Sequence, residues 1–453
     1  MSAWTWAVDG WIIAIGALVA LAAAVPGAFL VVRRTSMLAD AISHAVLPGI
    51  AVAFLLTGTR DPLWMFLGAA TAGLLVTLAS SWLAGVARID SGAALGIVFT
   101  TAFALGLILI VQVADRVDID PSCVLYGAIE LAPLDSTPLG GVEIPRAAIV
   151  LGAVALLNAS VAACFWKELK VMAFDRALAR TLGCRPALME SIILGMAAAT
   201  CVAAFESVGS ILVVAMMIIP AVAARLFTER LAGVIVGSSL IGFLGVCIGH
   251  IVAAGVAPAF TSGGRDASTA GSIAAMLGVV LVVAMLIAPK RGVLARVCHR
   301  WMLTLRMAHE DALGLLWRLD EARESAHVAR LRELLINGRT LSPLGARVAI
   351  WTLLRGGKIV VSDGIAQLTA VGRTEGALLV RSHRLWEIYL AERVSVASDH
   401  VHPTAMMLEH ITDAALRAKL AREGEAAPSA ERQLIDPHGR SVPEISEPPQ
   451  ERR

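Results

Sequence analysis

Apolar runs of about twenty residues recur through the first two thirds of the chain, and nothing else constrains its fold as strongly. A run of this length crosses a bilayer only as a helix, because hydrocarbon offers no partner for an unpaired backbone N–H or C=O. The runs lie near residues 11–32, 45–56, 63–86, 93–113, 147–165, 187–204, 208–224, 231–256 and 270–288. The second is short and reads as a broken or tilted segment, so eight or nine transmembrane helices are expected. Charge divides the chain at the same place. Of its 74 Asp, Glu, Lys and Arg residues, 30 lie in 1–289, a density of about 10% against about 27% in the remainder. The first density is that of a membrane domain and the second that of a soluble one. An all-α polytopic membrane protein followed by a soluble module is the fold class this predicts.

Flanking cations give the orientation. Arg33, Arg34, Arg88, Lys167, Lys170, Arg176, Arg180, Arg185, Arg225, Arg230, Lys290 and Arg291 fall on one side of the membrane, leaving Arg60, Arg116, Arg146 and Arg265 opposite. The rich side is expected to be cytoplasmic, with the N-terminus outside and the polar C-terminal region inside a cell (inner) membrane. The first ten residues lack the basic region of a cleaved leader and read as part of a retained anchor. A net charge of +2 gives no overall field for nucleic acid. The six cysteines form no CxxC pair and read as small apolar residues.

Two polar features interrupt the membrane half. In RRTSMLADAISHAVLPG, Asp40 and His44 are four residues apart and share one face of a helix. A carboxylate with an imidazole is a competent ligand pair for Zn²⁺, Mn²⁺ or Fe²⁺. The same spacing also serves a structural hydrogen bond; beside membrane spans, where ionisable groups are costly, the ligand reading gains weight. The second feature is the polar loop 167–186, which reads as a short amphipathic helix closed by Gly183 and suited to docking on a peripheral subunit or to lying at the interface. There is no GxxxxGK[ST], so no nucleotide is expected on this chain through a P-loop. HExxH and comparable catalytic sets are also absent, which disfavours an enzyme.

RRTSMLADAISHAVLPGIAVAFLL and FESVGSILVVAMMIIPAVAARLF resemble the permease subunits of the manganese/zinc/iron ABC transporter family, over residues 10–290. AFDRALARTLGCRPALME is similar to that family's coupling helix. The resemblance implies a second permease subunit, identical or paralogous, a cytoplasmic ATPase and an extracytoplasmic metal-binding lipoprotein. It implies that Asp40 and His44 coordinate the transported ion, and that Phe174, Asp175, Ala179 and Gly183 belong to the ATPase-coupling element. Few ligands suit such a path, since conduction requires that the ion also leave.

The remainder reads as a compact module, with domain limits expected at 1–292, 293–306 (a connection), 307–425 and 426–453 (a largely disordered tail). Helices are expected over 309–324, 331–337 and 343–354, then Asp363-Gly364 between β-prone flanks, a hairpin signal. That order is the order of a winged helix. Helices over 373–394 and 403–422 follow. His383, Glu387, His400, His402, Glu409 and His410 concentrate here, as expected of a divalent-cation site.

HEDALGLLWRLDE, VRSHRLWEIYL, VHPTAMMLEHITD and DPHGRSVPE resemble metal-dependent regulators of the diphtheria-toxin-repressor type. Carried over by position, one regulatory metal site uses Asp311, Met406, Glu409 and His410, and another His383, Glu387 and His402. Met406 departs from the Cys or Glu usual there, and a thioether is a weak ligand for hard ions. The segment 342–355, where a recognition helix belongs, offers few cations and polar base-reading groups. The preferred reading is a permease for a divalent transition metal with a metal-sensing domain. The competing one is a membrane-anchored, metal-dependent transcription regulator that binds DNA.

Overall fold

A computed structural model describes residues 5–58, 62–114, 127, 129–139, 142–256, 268–339, 342–425 and 434–443. It divides into two compact units, Met1–Arg296 and Val297–Arg453.

In the first unit the chain forms α1 (Trp6–Val32), α2 (Met37–Thr57), α3 (Pro62–Ala87) and α4 (Ser91–Ala114). A hairpin of β1 (Ser136–Leu139) and β2 (Val142–Pro145) leads into α5 (Arg146–Cys164). Then come the short α6 (Trp166–Phe174) and α7 (Arg176–Thr181), followed by α8 (Pro186–Val208), α9 (Ser210–Phe227), α10 (Leu231–Ile251) and α11 (Thr269–Ile287). Among the described residues, eight helices are long and apolar enough to cross a membrane, and α2 contributes a shorter apolar stretch, Pro48–Thr57.

α1 is the axis of this unit. Ile15, Val19, Ala22, Ala23, Ala28 and Phe29 are fully buried, and the helix packs on α5, α9 and α10. Small side chains allow close approach, which drives association where lipid is as apolar as the protein. One polar knot joins three helices: the Asn158 amide on α5 donates to Ala22 O (2.9 Å) on α1 and to Thr200 Oγ1 (2.8 Å) on α8. The Gly49 of the quoted motif has a packing reason. α2 crosses α3 so closely that a Cβ at Gly49 would lie 2.3 Å from Gly68 O, and one at Gly68 2.5 Å from Gly49 O.

The second unit is built on α12 (Val293–Glu321), α13 (Val328–Arg339), α14 (Pro343–Arg355), β3 (Ile359–Ser362) and β4 (Ile365–Leu368), the winged-helix order. The expected connection 293–306 and helix 309–324 are one continuous helix, since no proline and only Gly314 interrupts Val293–Glu321. Asp363 (φ 52°) and Gly364 (φ 76°) form the two-residue turn that matches strand twist. Ala308, Ala312, Leu313 and Leu316 on α12 close the core with Leu331, Leu353 and Ile359.

α15 (Ala370–Glu392) follows, then α16 (Ser398–Leu408) and α17 (Ala414–Glu425). The single helix expected over 403–422 is broken between Leu408 and Ala414. A 3-10 turn over Glu409–Ile411 ends α16, and the Asp413 carboxylate restarts the chain by accepting Leu416 N–H at 2.7 Å. Within the tail, residues 434–443 form a turn on α15. Its anchor is Arg384, 2% exposed, which donates to Ser441 O at 2.5 Å and pairs with Glu321 at 2.5 Å. The rest of the expected disordered tail lies outside the described residues.

Candidate metal centres

α1 closes with Arg34 in the left-handed region (φ 60°); Arg34 N–H donates to Val31 O at 3.2 Å and Thr35 N–H to Leu30 O at 2.9 Å. That pairing is the Schellman closure, here made without glycine. Two residues later α2 begins. Asp40 is half-buried in its first turn, and His44 is four residues further along the same continuous helix. The His44 side chain lies outside the described ones.

The segment expected to form one coupling helix is two helices. Asp175 is extended (φ −144°), and its carboxylate caps α7 by accepting Ala177 N–H (2.8 Å) and Leu178 N–H (2.9 Å). The break leaves Phe174 as the last residue of α6. Gly183 (φ 80°) ends α7: its N–H reaches Arg180 O and Cys184 N–H reaches Ala179 O, both at 3.0 Å. Ala179 is buried, while Phe174, Leu178 and Leu182 are exposed. A helix locked at both ends thus displays apolar side chains on the surface of the first unit.

In the second unit α15 and α16 bring three predicted donors together. His383 Nε2 lies 3.0 Å from Glu387 Oε1 and 3.0 Å from His402 Nδ1, and the last two atoms are 2.8 Å apart. Three donors so close match one face of a small coordination shell, whose tetrahedral edges are about 3.3 Å for bonds near 2.0 Å. His383 and Glu387 are buried; His402 is exposed. Burial pushes the Glu387 carboxyl up, but hydrogen bonds from His383 and His402 outweigh it and hold its pKa at about 2. The sequence reading missed a fourth neighbour, His438 of the DPHG turn, whose Nε2 lies 3.8 Å from the same Glu387 oxygen. Buried Asp436 shapes that turn by accepting His438 N–H (3.0 Å) and Arg440 N–H (2.7 Å).

The second cluster joins α12 to the end of α16. His410 Nε2 lies 3.2 Å from Asp311 Oδ1 and 3.8 Å from Glu409 Oε1, and one ligand atom from each of the three falls within 4.8 Å of the others. Met406 is half-buried one turn before Glu409. Glu310, which the sequence reading passed over for its neighbour Asp311, holds His410 Nδ1 at 2.6 Å. A carboxylate behind the ring fixes which nitrogen faces a metal. Burial disfavours the charged ring, yet the bonds to Asp311 and Glu310 and the charges of Asp311 and Glu409 raise the His410 pKa to about 9. His383 repeats the device, its Nδ1 lying 2.6 Å from Glu409 Oε2. Glu409 therefore touches both clusters.

The exposed side of α14 is largely apolar. Leu344, Val348, Trp351 and Leu354 are exposed there beside Arg347 and Arg355, with Arg355 stacked 4.5 Å over Trp351.

A profile described as the ABC 3 transport family matches residues 10–265. The chain belongs to that family. A second profile, the iron dependent repressor metal binding and dimerisation domain, matches residues 369–444, which hold both His383–Glu387–His402 and Glu409–His410. The manganese transport system membrane protein MntD of Bacillus subtilis is 40% identical over 67% of this chain and 99% of its own length. MntC, a manganese transport system membrane protein of the same organism, is 30% identical over 86% of this chain and 85% of its own, so that likeness runs into the second unit. Among solved structures, PsaBC from Streptococcus pneumoniae in complex with Fab shares the fold, with a TM-score of 0.52 at 28% identity over 62% of this chain and 92% of that one. As an ABC 3 family member the chain is a multi-pass transport permease, and its C-terminal part carries a repressor-like metal-binding domain.

Proposed function

We propose that the chain is the permease subunit of an ATP-driven importer of a divalent transition metal, manganese, zinc or iron, with a domain that senses the same class of ion. The observation that carries this is the pairing of an ABC 3 bundle, 40% identical to a manganese transport protein, with two donor clusters in the attached module. Asp40 and His44 give the cargo a foothold on α2. Two ligands per subunit strip part of the ion's water without trapping it. A second permease copy or paralogue completes the path, an extracytoplasmic lipoprotein delivers the ion, and a cytoplasmic ATPase docks on the surface containing Phe174, Asp175, Ala179 and Gly183. The N-terminus is outside and the module cytoplasmic, in line with the cation distribution.

In the module, His383, Glu387 and His402, joined by His438, suit one ion, and Asp311, Glu409 and His410, with Met406 nearby, suit another. Nitrogen and oxygen donors of this kind fit Mn²⁺, Fe²⁺ and Zn²⁺. A bound ion there supplies charge that fixes these helices together, and uptake responds to it. The apolar face of α14 disfavours DNA readout, which wants charged and polar side chains at base edges. The test is purification of the chain with its ATPase and uptake by the reconstituted complex with Mn²⁺, Zn²⁺ and Fe²⁺ in competition. Metal-dependent, sequence-specific DNA binding without uptake would reverse the assignment toward the transcription regulator. Deleting residues 301–453 should change how uptake depends on internal metal.

A further inference from the structure

The ends of α1, α7 and α8 meet at one carboxylate. Glu190 is the fifth residue of α8. Its Oε1 accepts Arg33 Nη2 at 2.7 Å, and its Oε2 accepts Arg176 Nη2 at 2.9 Å. Arg33 is the C-cap of α1, and Arg176 is the first residue of α7, the coupling element. The Arg33 side chain is only 10% exposed, and its other terminal nitrogen, Nη1, is buried with no partner among the described residues. A guanidinium in that setting depends on its one carboxylate.

The two neighbours of Glu190 differ in what they are attached to. Arg176 opens a helix capped at both ends, by Asp175 and by Gly183. The last turn of α1 is held as well, because Arg225 from α9 donates to Val31 O at 2.7 Å. From Arg33 the chain passes through the tight Arg34–Thr35 closure directly into α2, and Asp40 lies seven residues on. Only Arg34, Thr35 and Ser36 separate Arg33 from the first residue of α2.

We propose that Glu190 is the positioning residue that links the coupling helix to the metal-bearing helix: displacement of α7 is passed through Arg176, Glu190 and Arg33 to the start of α2. This rests on the reading of α7 as the ATPase dock and of Asp40 as a cargo ligand. A charge-assisted pair suits the task, being strong along its axis and geometrically specific. The link is electrostatic and has a removable half. Arg176 is 53% exposed, so its loss leaves the half-buried Arg33–Glu190 pair in place.

The experiment uses the complete reconstituted complex and reads metal ions imported per ATP hydrolysed, alongside ATPase co-purification and basal hydrolysis. Arg176→Ala should keep the ATPase bound and hydrolysing while the ratio falls about tenfold, within the range of ordinary coupling energies. Arg176→Lys, which retains a donor, should stay close to wild type. Glu190→Gln, a second break with nearly the same shape, should reproduce the fall. A wild-type ratio in Arg176→Ala overturns the proposal, and so does loss of the ATPase from that variant, which would make Arg176 a docking contact. Absence of uptake or of a bound ATPase in the unsubstituted complex defeats the parent reading, and this proposal with it.

Discussion

Carboxylate and imidazole occur together in both units, but the two regions surround them differently. On α2, Asp40 and His44 stand one turn apart in a helix whose remaining residues are apolar or small apart from Ser43 and Thr57. In the module two rings have a carboxylate at both nitrogens. His383 lies between Glu409 and Glu387, and His410 between Glu310 and Asp311. The contrast follows from the solvent. A membrane span tolerates few polar groups, each at a cost, whereas a water-exposed domain can bury a polar cluster if every member is satisfied. Sparse donors suit an ion that must leave, and dense, pre-oriented donors suit one that is held.

The comparison yields predictions that can break it. Asp40→Ala or His44→Ala should abolish metal uptake, a loss beyond about 100-fold, while the complex still assembles; uptake assays with purification of the complex decide this. His383→Ala or Glu387→Ala should weaken metal binding to the module by about 100-fold without reducing maximal uptake, measured by calorimetric titration of the full chain. Glu310→Ala removes only the group behind His410 and should cost about tenfold in affinity at that cluster.

Affinity at the same cluster should depend on pH. The metal-free His410 keeps its proton until about pH 9, so binding must displace it. Affinity should therefore rise about tenfold per pH unit between pH 7 and 8 and level off above pH 9. The metal-free fold shows the opposite sign. A raised folded-state pKa adds stability that is full below the ordinary histidine value and is lost as pH climbs toward 9. Thermal melts with and without metal across that window should diverge. The smallest effect expected is for Asp175→Ala, which removes the α7 cap at about 1 kcal/mol and should lower uptake only modestly.

Much of this was legible in local sequence. The apolar runs gave the spans because hydrocarbon dictates helix length, and Asp363-Gly364 gave the hairpin because few residues adopt φ > 0 in succession. That Asp40 and His44 lie on one helix was readable from the apolar pattern around them. Features that depend on distant partners were not legible. The aspartates at 175 and 413 both end what composition reads as one helix, and only their caps reveal the breaks. His438 reaches Glu387 across 51 residues of sequence, and no periodicity encodes that. Glu310 and Asp311 are neighbours with equal chemistry. Which of them faces His410 Nε2 is set by the rotation of α12 against α16.

The most direct test of the division between passing and holding an ion is the initial rate of Mn²⁺ uptake by the reconstituted complex. It should be measured against metal concentration on the module's side, for the wild-type chain and for His383→Ala. The account predicts that the wild-type rate varies with that concentration, while the variant transports at a rate indifferent to it. Identical curves for the two proteins would contradict it.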